Sequence, residues 1–274
     1  MKKTSIITIM AALLIALVGC DNIDPDNTLK PVNPTGGGDV EGGNKTVLIK
    51  DFTGARCVNC PAAAETAHAL QYQLGEDRVF VMSVHAGGLA QPAGQFPDFL
   101  TEEGTAWYNN HDSNPLFSVD NVSLTDGNTL YVDQIDAPVA AALAEEQSFE
   151  IEPTVAFDET SRDLTVDVSL VSLVQQSGQF NVTVCLVEDN IVGWQITPEG
   201  INREYVFRNV FRGTLNGAYG EIAYNGEMAP HAEFTYTCST SLNPDFNADE
   251  CYVVVYVHNT QNGKILQTVM KKVK

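Results

Sequence analysis

The chain changes its hydrophobic rhythm near residue 148. Before that point, short apolar runs alternate with stretches of good helix formers. Val47 to Phe52 reads as a strand, and the alanine-rich Pro61 to Leu74 reads as a helix. Val79 to His85 (VFVMSVH) is nearly continuous in β-formers, as expected of a strand buried on both faces. A Pro/Gly loop, a helix near Phe99 to Tyr108, a short strand at Leu116 to Val119 and a helix from Tyr131 to Glu146 follow. Strands that alternate with helices predict parallel pairing and an α/β domain. After residue 148, apolar and polar positions alternate strictly. Leu164, Val166, Val168 and Leu170 interleave with Thr165, Asp167 and Ser169, and Phe180, Val182, Val184 and Leu186 with Asn181 and Thr183. Further β-rich runs lie at 231–238, 251–258 and 264–270. Period-two strands at this spacing predict an all-β, immunoglobulin-like sandwich.

The N-terminus follows neither rhythm. Lys2 and Lys3 precede a mostly apolar stretch from Ile6 to Val18, which ends in Leu17-Val18-Gly19-Cys20. A basic start, a short apolar stretch and small residues at its end mark a secretory signal, too short to span a bilayer. Leu-x-Gly-Cys is also the bacterial lipobox, which makes Cys20 the expected lipid attachment site and the membrane the expected partner. Residues 21–45 hold three prolines and five glycines with almost nothing apolar. Such a segment cannot bury enough surface to offset its ordering entropy. It predicts a tether that reaches about 25–30 Å on average. The expected organisation is a signal over 1–19, a lipidated tether over 20–45, an α/β domain over 46–147 and a sandwich over 148–274.

Charge narrows the partners. The chain carries −20, and loss of the two signal lysines takes it to −22. That balance excludes nucleic acid and anionic lipid surfaces as partners. The acidic loop Asp245 to Glu250 lacks the glycine and glutamate positions of a calcium-binding loop and reads as solvated. No Ser-His-Asp order, phosphate loop or HExxH motif is present, and no cofactor or metal is expected.

The chemistry concentrates in Asp51 to Ala63, DFTGARCVNCPAA. Cys57 and Cys60 follow a strand and open a helix, where the helix dipole favours a thiolate. Arg56 adds a cation and Pro61 suits a first helical turn. Both thiols are expected to be reachable, at the carboxyl edge of a parallel strand. Two other readings stand beside redox chemistry. Zinc needs four N or S ligands, and only this pair and scattered histidines are available. A structural disulfide suits an oxidising compartment, although so small a ring removes little loop entropy.

Asp51-Phe52, four residues and Cys57-x-x-Cys60 resemble the pattern of thioredoxin-like domains. The resemblance implies an α/β thioredoxin-like domain in which Cys57 is the nucleophile and Cys60 the resolving thiol. It implies that Asp51 accepts a proton and that Pro115, just before a strand, is a cis-proline shaping a peptide groove. His85 ends the second strand at the same edge. Arg56 replaces the usual tryptophan, and Val58-Asn59 replaces Gly-Pro. A wider resemblance covers the mature chain. DFTGARCVNCP, SVHAGG and YVFRNVFRGTLNGAYGE resemble the outer-membrane lipoproteins of the Bacteroidetes named for a mass near twenty-eight kilodaltons. That resemblance implies an outer-membrane lipoprotein, facing the periplasm or the cell surface. It leaves the role open between thiol–disulfide exchange with a protein or peptide partner and non-catalytic surface binding.

Two further expectations concern the second half. Cys238 and Cys251 end and begin neighbouring strands, and a bridge between them would contribute about 3 kcal/mol. Cys185 is then left over. Arg203, Arg208 and Arg212 interleave with Tyr205, Phe207 and Phe211. They read either as a partner-binding patch, centred on Arg208, Phe211 and Arg212, or as a long connection packed by its own aromatics.

Overall fold

The computed structural model describes residues 45–109, 111–120 and 129–274. The signal, most of the tether and Cys20 lie outside the described residues. Among the described residues the fold is mostly β-sheet with three α-helices and short 3-10 turns. β1 (Val47–Thr53) leads into α1 (Cys60–Leu74) and β2 (Val79–His85). α2 (Glu102–Tyr108), β3 (Leu116–Val119) and α3 (Asp136–Leu143) complete the first half. Ten strands follow: β4 (Phe149–Phe157), β5 (Asp163–Ser172), β6 (Gln176–Glu188), β7 (Ile191–Thr197), β8 (Gly200–Phe207), β9 (Val210–Thr214), β10 (Glu221–Met228), β11 (Glu233–Ser241), β12 (Cys251–Asn259) and β13 (Ile265–Lys272).

The main sheet takes strands from both sides of the expected 147/148 boundary. Its order is β13-β12-β6-β9-β2-β1-β3, with β10 also paired to β6. β1 and β2 are parallel, as the strand–helix–strand pattern predicts, but β3 runs antiparallel to β1. A three-stranded sheet, β11-β5-β4, and the separate two-stranded ribbon β7-β8 complete the described strands. The last residue of the expected tether belongs to the folded body. Lys45 is fully buried and bridges Asp120 at 2.9 Å and Glu145 at 2.7 Å. The folded body therefore begins no later than Lys45.

Three of the four apolar clusters among the described residues hold these layers, and the fourth, Ala55, Phe99, Phe207 and Val210, lies by the cysteine turn. Ala63 and Ala67 of α1 pack with Val139 and Ala142 of α3 on Val47, Ile49, Val79 and Val81. Alanines at this spacing form one helix face and let α1 lie close to the sheet. The opposite face of β1 and β2 contributes Leu48, Phe52, Met82 and Val84 to a cluster with Trp107, Phe211, Val254 and Tyr256. The alternating residues of β4 and β5 meet Phe180, Val182, Val184, Val253, Val255 and Val257 in the third. Cys185 is buried in the second cluster, in spite of polar neighbours at 181 and 183.

The expected bridge between Cys238 and Cys251 is absent, and both thiols are free. Cys238 pairs opposite Val166 in the three-stranded sheet, whereas Cys251 pairs opposite Glu188 in the main sheet. The chain between them crosses from one layer to the other, so the two cysteines do not face each other as hairpin neighbours would.

The arginine-rich stretch is not a long connection; it forms β8 and β9 around a sharp turn. Asn209 sits in that turn with φ at 47°. Its carbonyl accepts from Ser83 N at 2.9 Å, and its amide Nδ2 donates to the Val81 carbonyl at 3.0 Å. Its own N–H donates to Asp189 Oδ1 at 3.0 Å. Asn209→Ala removes the partner of a buried carbonyl and leaves a Cβ-branched-free but still disfavoured left-handed residue. We expect a loss of about 2–4 kcal/mol in urea unfolding. A change below about 0.5 kcal/mol would show that this joint is dispensable.

Candidate functional site

The turn Gly54–Cys57 is pressed against a second turn at Gly88–Ala90. A Cβ on Gly54 would lie 2.6 Å from the Leu89 backbone, so glycine is needed for this close approach. Arg56 N donates to the Leu89 carbonyl at 3.1 Å, and its guanidinium donates to the Gly88 carbonyl at 2.6 Å. Arg56 thus ties the two turns together. Cys57 and Cys60 are joined in a disulfide at the start of α1, and Pro61 occupies its first turn. In this state neither sulfur is a thiolate, and the pair offers zinc no ligand.

The sulfurs are not reachable in the way their position predicts. Both cysteines are only 2 % exposed. The reason is the ribbon β7-β8, which lies over the 54–57 turn. Ile196 N donates to the Ala55 carbonyl at 2.9 Å, and the buried Gln195 amide donates to the Cys57 carbonyl at 2.9 Å. The ribbon is not readily legible in the sequence because its outer residues, Glu199 to Glu204, are largely polar and exposed and its alternation is broken by a bulge at Gly193/Gln195. The Val-Gly-Trp-Gln-Ile-Thr run before Pro198 is the signal that would have found it.

Beside the disulfide lies a cavity of about 460 Å³. Asp51 of β1, Cys60, Glu65 and His68 of α1, His85 of β2, and Gln195, Tyr205, Phe207 and Arg208 are among its walls. Asp51 is fully buried, and neither carboxylate oxygen has a hydrogen-bonding partner in the protein. Burial pushes its pKa up to about 8. His85 is edge-on to Phe99 at 4.8 Å and to Phe207 at 5.5 Å, without a partner on either ring nitrogen. Burial, aided by the Arg212 charge, pushes it down to about 3, so it is neutral at physiological pH. Burial likewise takes His68 down to about 4. Tyr205 is raised to about 12, by burial first and then by Asp51 and Glu65.

The structure therefore brings Asp51, Cys60 and His85 to one cavity, with Cys57 behind Cys60. The Asn114–Pro115 peptide is cis, and Pro115 is partly exposed ahead of β3. The residues expected to form the arginine–aromatic patch are divided between different faces. Phe211 is buried against Trp107, with ring centroids 4.6 Å apart. Arg212 turns to the other side of β9, between the rings of Phe246 at 4.0 Å and Phe99 at 5.2 Å, and faces Glu188 at 3.5 Å. Arg203 covers Trp194. Alternation along the strands scatters these side chains to different faces. Arg203 and Arg208 stay exposed, and Arg208, near Asp189, lines the cavity with Tyr205 and Phe207.

The model of the family described as outer membrane protein Omp28 matches residues 122–274. The chain belongs to that family. Membership assigns it to the outer membrane. HBP35 of Porphyromonas gingivalis shares its fold, with a TM-score of 0.65 at 17 % identity over 85 % of this chain and 76 % of that one. A domain of the outer membrane lipoprotein Omp28 from the same organism aligns at 20 % identity over 46 % of this chain and 88 % of that one, with a TM-score of 0.30. No curated protein matches the chain. The family match contains the ribbon and Arg208 but not the cysteine pair, so the cavity is assembled from inside and outside the matched region.

A buried carboxyl with a raised pKa makes stability depend on pH in a definite sense. Folded Asp51 holds its proton up to about pH 8, whereas the unfolded residue releases it near 3.8. Stability is then full below about pH 4 and falls by about 1.4 kcal/mol per pH unit up to about pH 8. Asp51→Asn should abolish this component. The difference in unfolding free energy between wild type and variant, measured from pH 5 to 8, should therefore tilt steadily against wild type. A pH-independent difference would contradict the assignment. The neutral histidines act below about pH 6.5 in the opposite sense and cancel in that difference.

Proposed function

We propose that the chain is a lipid-anchored protein, attached through Cys20, whose Cys57–Cys60 pair carries out thiol–disulfide exchange in the cell envelope. In this reading residues 46–147 supply a thioredoxin-like unit and residues 148–274 an immunoglobulin-like sandwich that shields it. Cys57 and Cys60 are the redox couple, and Asp51 moves the proton. His85, neutral and apolar-walled, keeps the site dry, while Arg56 and Pro115 fix the surrounding turns.

The observation that carries the reading is Asp51. A carboxyl fully buried with no partner is costly, and a bridge that merely stiffens a turn gains nothing from it. Such groups gather where proton transfer is needed. The burial of both sulfurs supports a second reading, in which the disulfide is a staple and the protein binds a surface partner without catalysis.

The two readings differ in the potential of the couple. We expect Cys57/Cys60 to equilibrate with a thiol buffer at a potential above about −300 mV, measured by alkylation and mass analysis. Structural bridges lie below that value. A potential well below it would end the exchange reading and favour the staple.

A further inference from the structure

The cavity and the ribbon together say which sulfur can be attacked, and by what. Attack on a disulfide is in line, so the incoming sulfur must approach one cysteine from the side away from the other. Cys60 lines the cavity and Cys57 does not. On the Cys57 side, the carbonyls of Ala55 and Cys57 are held by Ile196 and Gln195 of the ribbon. Val58 and Asn59 are exposed, but Cys57 itself is only 2 % exposed and gives a folded protein's thiol little to approach. The cavity, about 460 Å³, falls in the range of small-molecule sites. Its outer wall carries Glu65, Tyr72, Val206 and Arg208, and the buried Asp51 and Cys60 belong to the same lining.

We propose that the substrate of this disulfide is a low-molecular-weight thiol, which enters the cavity and attacks Cys60 rather than Cys57. This rests on the exchange reading above and specifies its substrate class and its direction of attack. The thiol gives its proton to Asp51 in its ionised form, whose fraction rises as the pH nears 8, and its sulfur bonds to Cys60 Sγ. The Cys57–Cys60 bond breaks, its electron pair passes to Cys57 Sγ, and that sulfur takes up a proton. A second thiol then attacks the first at its own sulfur and releases a small disulfide and the Cys60 thiol. Two small thiols are oxidised to one disulfide and the protein bridge is reduced to a dithiol, and every step is reversible. With its pKa near 8, Asp51 is matched to thiols that ionise in the same range.

The test uses the full-length oxidised protein in detergent with free cysteine as the probe. The reaction is quenched in acid, released thiols are alkylated, and the adduct is located by mass spectrometry. The expected product carries cysteine on Cys60 and alkyl on Cys57; the reverse distribution would overturn the proposal. Rates with free cysteine should exceed those with a reduced protein dithiol by at least tenfold, and faster reaction with the protein dithiol would also overturn it. Ala64→Phe projects from α1 into the cavity wall. It should slow reduction by free cysteine at least tenfold and leave the midpoint potential of the couple unchanged; an unchanged rate counts against the proposed entry route. Because the potential reports whether exchange occurs, and the adduct position reports how, the two readings fail separately.

Discussion

The hold of Asn209 on β2 is the contact on which the rest of the molecule depends. Through it the second half of the chain meets the first as sheet, with Ser83 N on the Asn209 carbonyl and the Asn209 amide on Val81. A left-handed residue is needed because the chain must reverse sharply after β8 and lay β9 between β2 and β6. Asparagine tolerates that backbone better than most side chains and still carries a donor for the buried carbonyl. Asp189, at the end of β6, takes the remaining N–H. Once this turn is fixed, β8 has only one place to go, and its partner β7 comes down over the cysteine turn.

That arrangement explains why the site is built from parts distant in sequence. Gln195 reaches Cys57 across a separation of 138 residues, and Asn209 reaches Val81 across 128. Neither contact alone is worth more than about 1–3 kcal/mol, but each satisfies a buried carbonyl that would otherwise be left without a partner. The ribbon therefore stabilises the cysteine turn and closes it off by the same hydrogen bonds. Exclusion of bulk solvent is also what raises Asp51 and lowers His85, because both shifts arise first from burial. The chemistry available at Cys60 thus follows from a strand pairing made on the far side of the sheet.

Much of the local structure was legible in the sequence. Val79–His85 and Leu116–Val119 match the predicted strands end to end, because apolar β-branched runs bounded by polar turns admit little else. The helix at Phe99 to Tyr108 shrinks to Glu102–Tyr108 because Thr101 caps it, its hydroxyl accepting from Gly104 N. What could not be read was tertiary. The ribbon's exposed, polar outer strand has no hydrophobic period, and its role exists only in relation to residues 54–57. The Cys238–Cys251 bridge failed because spacing along the chain says nothing about a change of layer. The arginines looked like a patch because sequence proximity hides the alternation that sends Phe211 inward and Arg212 to the opposite face.

One consequence of alternation is more specific than any of these. Lys50 and Asp51 are adjacent, oppositely ionisable and both buried, yet the sheet forbids them to pair. Lys50 points into the cluster of Trp107 and Tyr256, its ammonium 4.2 Å from the Trp107 ring centre, and burial takes it down to about 7. Asp51 points into the cavity and is taken up to about 8. Two neighbouring charges that would neutralise each other in a loop are instead each shifted toward the neutral form. Pairing them would have cancelled the proton affinity that distinguishes Asp51 from an ordinary carboxylate. The strand therefore does more than position Asp51: by holding Lys50 on the other face, beside aromatic rings, it keeps the adjacent buried lysine from lowering the carboxyl's pKa.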